Sequence, residues 1–280
     1  MPLGASHDLL RPPSPDSPLG KAFLARFGLA RREPDAAFLE AVARAFGNIP
    51  FENLTKIIKY HAEGSADAAM RAPAEVFGDH VRIGSGGTCF SLTALFLFLL
   101  RSYGFQAEPV LADRRYGFDT HCAALVTLGG RVHLIDPGYL LFTPVPVGGC
   151  DVQRIATPFN EIVLTPREGG TLDLATKQQG SETYRLTFKL PGADATEFMR
   201  AWRESFAWDM MRYPVLTRVR DGTQRYLQRT HYQERGRLHV ERRAVRLDGL
   251  ADTIAAEFGI AREVAARALD ITARREKLDD

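Results

Sequence analysis

Gly86-Gly87-Thr88-Cys89-Phe90 runs without a single charge into Ser91-Leu92-Thr93-Ala94-Leu95-Phe96-Leu97-Phe98-Leu99-Leu100, and this stretch decides how the chain is read. The paired glycines predict a turn. The apolar run predicts a central helix buried on nearly every side, ended by Arg101 and Gly104. A turn that delivers a thiol to a helix start also activates it. The first-turn amides and the helix dipole stabilise anionic sulfur, lowering a free-cysteine pKa of about 8.5 by one or more units. Taken alone, the same letters also fit a small buried hydrophobe beside a flexible connector.

A second stretch adds geometry. His121 to Leu128 and Arg131 to Asp136 are β-rich runs around Gly129-Gly130, a dipeptide suited to a tight primed turn. A two-residue loop sets Leu128 opposite Arg131 and therefore Ala123 opposite Asp136. Alternate residues of a strand share a face, so His121 and Asp136 project from one side as diagonal neighbours, roughly 7–8 Å apart at the backbone. His133 and Cys122 fall on the other face. An odd loop or a bulge would reverse every assignment. A cysteine, a base and an orienting acid make an activated thiol nucleophile, so the expectation is an enzyme that forms a thioester on Cys89.

Composition limits the alternatives. With 280 residues the chain can bury a sizeable core as one large domain or several smaller ones. A hydrophobic fraction of 45% and a charged fraction of 25% suit a globular protein, and a net charge of +2 by itself argues neither for nor against a nucleic-acid surface. With no zinc-finger spacing or RNP-like motif, no nucleic-acid partner is expected. Three scattered cysteines make no disulfide framework and show no metal-ligand spacing, so packing roles are expected for Cys122 and Cys150, and no metal. Met1 to Gly20, rich in proline and serine, lacks a basic start and apolar block and is expected to be a flexible tail. Leu92 to Leu100 is too short to span a bilayer, so no membrane partner is expected and the cytoplasm is the default location.

Three zones follow along the chain. Residues 21–105 are helix-rich, with Ala36–Phe46 an amphipathic helix capped by Asp35 and stopped at Gly47. Residues 106–193 carry short β-branched runs between glycines and prolines and predict an antiparallel sheet or barrel. Residues 194–280 mix a helix over Ala195–Met210, three strands within Val215–Leu247, and helix from Leu250 to Lys277 broken near Gly259. The overall class is α+β.

Asn48-Ile49-Pro50-Phe51-Glu52-Asn53-Leu54, Ser85-Gly86-Gly87-Thr88-Cys89-Phe90, His121 and Ile135-Asp136-Pro137-Gly138-Tyr139 together resemble the arylamine N-acetyltransferases. Of these, Pro-Phe-Glu-Asn-Leu is the most specific; the cysteine turn, histidine and aspartate also occur in the papain- and transglutaminase-like group. The resemblance implies a helical bundle, an antiparallel β-barrel and an α/β lid around a Cys-His-Asp core. It implies ping-pong transfer of an acetyl group from acetyl-coenzyme A, a substrate rather than a resident cofactor, to an arylamine or hydrazine. Cys89 would be the nucleophile, His121 the base and Asp136 its orienting partner, with amides near Cys89 binding the oxyanion. Thr120 and Gly87 would contact the coenzyme, and Phe51 the acceptor.

Departures from the family pattern are Ser85 in place of an arginine, Ser91 in place of a polar acid or glutamine, and Pro137-Gly138-Tyr139-Leu140 after the aspartate. Ser85 would leave Glu52 without its cation, and Arg82 is expected to reach back to it. Arg218, Arg220, Arg225, Arg229, Arg242 and Arg243 suggest a solvated basic face, or a contact to coenzyme A phosphates. Other readings are an amide synthase closing macrolactams from a carrier-bound thioester, a transglutaminase-like thiol hydrolase, and a silent homologue.

Overall fold

The computed structural model describes residues 7–15 and 17–279. Its first third is helical: α1 (Pro18–Arg26), α2 (Ala36–Phe46), α3 (Leu54–Glu63), α4 (Ala66–Ala69), α5 (Pro73–Ile83) and α6 (Cys89–Ser102), with the two-residue strand β1 (Phe51–Glu52) between α2 and α3. Local chemistry sets these bounds. Asp35 accepts from the Phe38 amide at 2.7 Å to start α2, and Gly84, at φ +70°, closes α5 in the left-handed conformation. Helix α6 buries both its faces, Phe96 meeting Phe46 at a ring separation of 4.8 Å. It ends where Arg101 turns away to donate to the carbonyls of Ala107 and Leu10.

That second contact corrects the flexible-tail expectation. Leu10 is buried in the helical core, and Ser17 caps α1 by accepting from the Gly20 amide at 3.0 Å. Residues 1–6 and 16, part of the same expectation, lie outside the described residues.

The middle of the chain forms β2 (Gln106–Arg114), β3 (Gly117–Leu128), β4 (Arg131–Asp136), β5 (Leu141–Pro146), β6 (Gln153–Ala156), β7 (Glu161–Arg167), β8 (Thr171–Gln178) and β9 (Ser181–Lys189). They make one antiparallel sheet in the order β5-β4-β3-β2-β9-β8-β7-β6. The sheet curls around its own apolar core, but edge strands β5 and β6 do not pair, so it is a half-barrel. The β3–β4 register is Leu128 opposite Arg131 through Ala124 opposite Ile135, as a two-residue loop requires. Ala123, Leu125 and Leu134 therefore face the half-barrel core, while Cys122, Ala124 and Val126 face the helical core under α6.

Helix α7 (Ala195–Glu204) opens with a capping box between Asp194 and Glu197. The helix expected to reach Met210 stops earlier, because Trp208 is extended (ψ 150°) between two short 3-10 turns. A second antiparallel sheet follows, β10 (Val215–Arg220), β11 (Thr223–Gln228), β12 (His231–Arg235) and β13 (Val240–Ala244), with β1 added at its edge beside β10. Three strands were expected. The fourth arises because the tight turn from Gly236 to His239 splits what the sequence presents as one run. Helices α8 (Leu250–Phe258) and α9 (Arg262–Asp279) break at Gly259 and pack on Leu216, Leu227 and Tyr232 from the sheet's inner face.

The C-terminal arginines are not a purely solvated face. Arg218 donates to the Phe258 carbonyl at the end of α8, Arg225 and Arg243 pair with Glu257 at 3.3 and 3.1 Å, and Arg229 lies 3.9 Å over the Tyr213 ring.

Candidate active site

The Pro50–Leu54 segment ties three parts of the molecule together. Phe51 and Glu52 pair with Thr217 and Leu216 of β10, while the Glu52 amide donates to the Gly87 carbonyl at 2.9 Å. Asn53 locks the far side: its amide nitrogen donates to the Met210 and Tyr213 carbonyls, and its oxygen accepts from the Val215 amide. The turn before Cys89 is pressed against this segment. A Cβ on Gly86 would stand 1.8 Å from the Pro50 carbonyl oxygen, so only glycine fits.

Beneath the turn lies a buried polar cluster. Glu52, wholly buried, accepts from the Thr55 hydroxyl and amide and from the Gly86 amide. Its cation is not Arg82. That side chain is exposed and bonds Asp79, because its place in the last turn of α5 points it outward. Arg71, 3% exposed, stands 3.8 Å from Glu52 instead. Arg71 also donates to Thr55 Oγ1 at 2.7 Å, the Gly86 carbonyl at 2.5 Å and Asp79 at 2.6 Å. Glu52 thus holds the amide of Gly86, and Arg71 its carbonyl. Ser85, standing where the family pattern has an arginine, is buried with its hydroxyl unpartnered among the described residues.

Cys89 opens α6 at the wall of a cavity of about 570 Å³. His121 reaches the same cavity from β3, with Nε2 2.8 Å from Asp136 Oδ2. Asp136 is fully buried, and its other oxygen accepts from the amides of Gly138 and Tyr139 at 2.9 and 3.1 Å. The altered Pro137-Gly138-Tyr139 run therefore seats the carboxylate. Gly138 is required there, since a Cβ would lie 2.6 Å from the imidazole Cε1. The bond between His121 and Asp136 is the contact that a two-residue loop implies, and His133 sits opposite Val126 on the other face.

The electrostatics favour an ionised sulfur. A hydrogen bond from the Cys122 thiol holds Cys89 well below the ordinary thiol value; burial opposes this, and His121 and Arg114 reinforce it. Burial, together with the Cys89 charge, pushes the Cys122 thiol well up. Burial presses His121 down, but the adjacent Asp136 carboxylate more than offsets it, leaving the imidazole above its usual value. Of the two cysteines expected to pack, Cys122 lies buried under α6 beside Thr93 and also serves as a hydrogen-bond donor, whereas Cys150 is exposed in the loop after β5.

Two further cations near the site carry no signal in the sequence. Arg114 Nη2 stands 3.3 Å from His121 Nδ1 and donates through Nη1 to the Tyr116 hydroxyl. Lys56, 4% exposed, donates to the Ser205 carbonyl and hydroxyl at 2.9 and 2.6 Å and lies 4.2 Å over the Phe206 ring. Burial pushes Lys56 down to about 7, against the pull of the Cys89 and Cys122 thiols. Of the remaining expected site residues, Phe51 lines the cavity. Thr120 is buried, bonding the Gly117 carbonyl, and Gly87 is held in the turn; neither lines the cavity. Among the described residues no cluster of His, Cys, Asp or Glu could hold a metal.

A family model described as N-acetyltransferase matches residues 36–267. A search of the curated proteins gave no match. Solved structures do match in fold. The arylamine N-acetyltransferase from Mycobacterium abscessus superposes with a TM-score of 0.78 at 18% identity, over 98% of this chain and 99% of that one. The arylamine N-acetyltransferase of Mycobacterium smegmatis gives 0.74 at 23% identity, over 89% and 97%. The Mycobacterium marinum arylamine N-acetyltransferase, solved in complex with CoA, gives 0.72 at 17% identity, over 90% and 98%. The chain belongs to the N-acetyltransferase family of that model and is an acyltransferase, with the fold of the arylamine N-acetyltransferases.

Proposed function

We propose that the protein moves an acetyl group from acetyl-coenzyme A, through a thioester on Cys89, to an arylamine or related nitrogen nucleophile. The observation that carries this reading is the His121 imidazole, bonded at 2.8 Å to a fully buried Asp136 on one edge and facing Cys89 within the same cavity. The coenzyme A bound by the Mycobacterium marinum enzyme supports the choice of donor. In the first half-reaction the Cys89 thiolate attacks the thioester carbonyl, and amides of the first turn of α6 stabilise the oxyanion. The carbon–sulfur bond to coenzyme A breaks, and the departing thiolate takes the His121 proton. In the second, the acceptor amine attacks the Cys89 thioester while His121 removes its proton, and the Cys89 thiolate leaves. Asp136 keeps the imidazole oriented and favours its charged form throughout.

The same reading assigns residues 21–105 to a helical domain bearing Cys89, 106–193 to a sheet domain bearing His121 and Asp136, and 194–280 to a lid. It keeps the cytoplasm as the default location; among the described residues no helix is long and apolar enough to cross a membrane. The test is isotope exchange between labelled coenzyme A and acetyl-coenzyme A with no acceptor present. A ping-pong enzyme exchanges the label. A direct-transfer enzyme, or one that needs both substrates bound, does not.

A further inference from the structure

Away from the Cys89 sulfur, the charged side chains that line the cavity are arginines. Arg114, Arg115, Arg185 and Arg235 line it, and among the described residues no aspartate or glutamate does. The sheet β10–β12 supplies one wall through alternate residues, Gln224, Tyr226 and Gln228 on β11 and Gln233 and Arg235 on β12. This is the face turned away from Leu227 and Tyr232, which pack against α8. Arg185, from β9, belongs to the half-barrel and faces the same space.

The polar bonds of Arg185 and Arg235 are to neutral groups. Arg185 Nε donates to Thr176 Oγ1 at 2.8 Å. Arg235 Nε and Nη2 stand 3.1 and 2.8 Å from Gln233, whose amide, turned to suit them, accepts both. Arg115 lies 5.3 Å over the Tyr184 ring. Among the described residues none of the three has a carboxylate partner. Burial presses Arg235 below its ordinary value, and the charges of Arg185 and Arg242 add to the effect. Half-buried like charges without a counterion are costly, and an anion between them relieves both desolvation and repulsion. An arginine fork matches a carboxylate or phosphate with two parallel hydrogen bonds.

We infer that the cavity holds an anion subsite, formed by Arg185 and Arg235 across the seam between the half-barrel and the C-terminal sheet, for a carboxylate or phosphate carried by a substrate of the acyl transfer. This rests on the acyltransferase reading of Cys89. Two sources share that chemistry: an acidic acceptor, such as an aromatic amine bearing a carboxylate, and the phosphates of the donor. The cavity aromatics Tyr184, Tyr213 and Trp208 suit an aromatic body behind such a group.

The experiment uses the full chain and its variants Arg185→Gln, Arg235→Gln and Arg235→Lys. Acetylation of Cys89 by the uncharged acetyl thioester of N-acetylcysteamine is measured first, because it tests the thioester reading without engaging the subsite. Two acceptors of one shape, para-aminobenzoate and para-aminobenzamide, are then compared, and so are acetyl-coenzyme A and the uncharged thioester. If the anion belongs to the acceptor, the wild type prefers the benzoate in kcat/KM by roughly tenfold or more, the glutamine variants lose that preference, and Arg235→Lys restores part of it. If it belongs to the donor, the glutamine variants raise KM for acetyl-coenzyme A by a similar factor and leave the uncharged thioester unaffected. Calorimetric binding of the two aminobenzoyl compounds and of coenzyme A, which needs no turnover, gives the same comparison should acetylation fail. Variants that match the wild type for every charged and uncharged partner, in kinetics and in binding, overturn the inference.

Discussion

Arg71→Ala should be the most damaging change at a residue outside the cavity lining. The guanidinium is 3% exposed and serves Glu52, Thr55, the Gly86 carbonyl and Asp79 together. Its removal leaves a fully buried Glu52 carboxylate without a cation. Breaking a buried pair from one side costs about 3–5 kcal/mol. In a domain of this size each kcal/mol moves Tm by about 2–4 °C, so a drop of roughly 6–20 °C is expected. The loss should also reach the chemistry, because Arg71 and Glu52 fix the two sides of Gly86, and Gly86 sets where α6 begins. The assay pairs chemical denaturation with the rate at which iodoacetamide labels Cys89, both of which should fall. Adding Glu52→Gln should recover part of the stability, with a coupling of about 0.5–3 kcal/mol between the two sites. Arg82→Ala, at an exposed residue bonded to Asp79, should change stability by no more than about 0.5 kcal/mol. An Arg71→Ala protein that melts and labels like the wild type refutes the reasoning.

Lys56 gives a pH signature. Its pKa falls from 10.5 to about 7 on folding, so between those values the unfolded chain binds a proton that the folded one does not. Stability should therefore rise with pH across that window, by roughly 4–5 kcal/mol in total, and Lys56→Met should flatten the rise and stabilise most at its acid end; an unchanged slope of unfolding free energy against pH counts against it. His121→Ala should nearly abolish acyl transfer and Asp136→Asn should cut it severely, whereas His133→Ala, on the opposite face of the hairpin, should leave turnover intact in a folded protein; steady-state rates decide between the two histidines. At mildly acidic pH, iodoacetamide should modify Cys89 ahead of the exposed Cys150 and the buried Cys122, as read by peptide mass mapping, because Cys89 is held well below the ordinary thiol value while burial pushes Cys122 up. Equal labelling of all three would count against an activated thiol.

What was legible in the sequence is what local geometry governs. A two-residue turn and a period of two place His121 and Asp136 on one face with no knowledge of the rest of the chain, and a glycine turn before an apolar run puts Cys89 at a helix start. The partner of Glu52 was not local. Arg82 is nearer in sequence to the turn, but helix phase sends it to solvent, while Arg71 arrives from the loop before α5. The cavity wall on β11 and β12 was hidden for another reason. Gln224, Tyr226 and Gln228, the β11 residues that line it, are polar as on any solvent-facing strand, so that face carries no apolar signature. Leu10 was masked by the prolines and serines around it. Lys56 follows Leu54 and Thr55 at a helix start, where a lysine ordinarily meets water, and nothing nearby announces Ser205 and Phe206 closing over it.

The central claim, that Cys89 itself takes the acyl group, is tested most directly by locating that group. The protein is incubated with acetyl-coenzyme A without acceptor, quenched in acid, digested and mapped by mass spectrometry. One acetyl group is expected on the peptide bearing Cys89. It should be absent from Cys89→Ser, much reduced in His121→Ala, and discharged when an aromatic amine is added. An acetyl group on Cys150 or a lysine instead, or a protein that transfers acetyl groups at full rate while Cys89 stays free, would contradict the account.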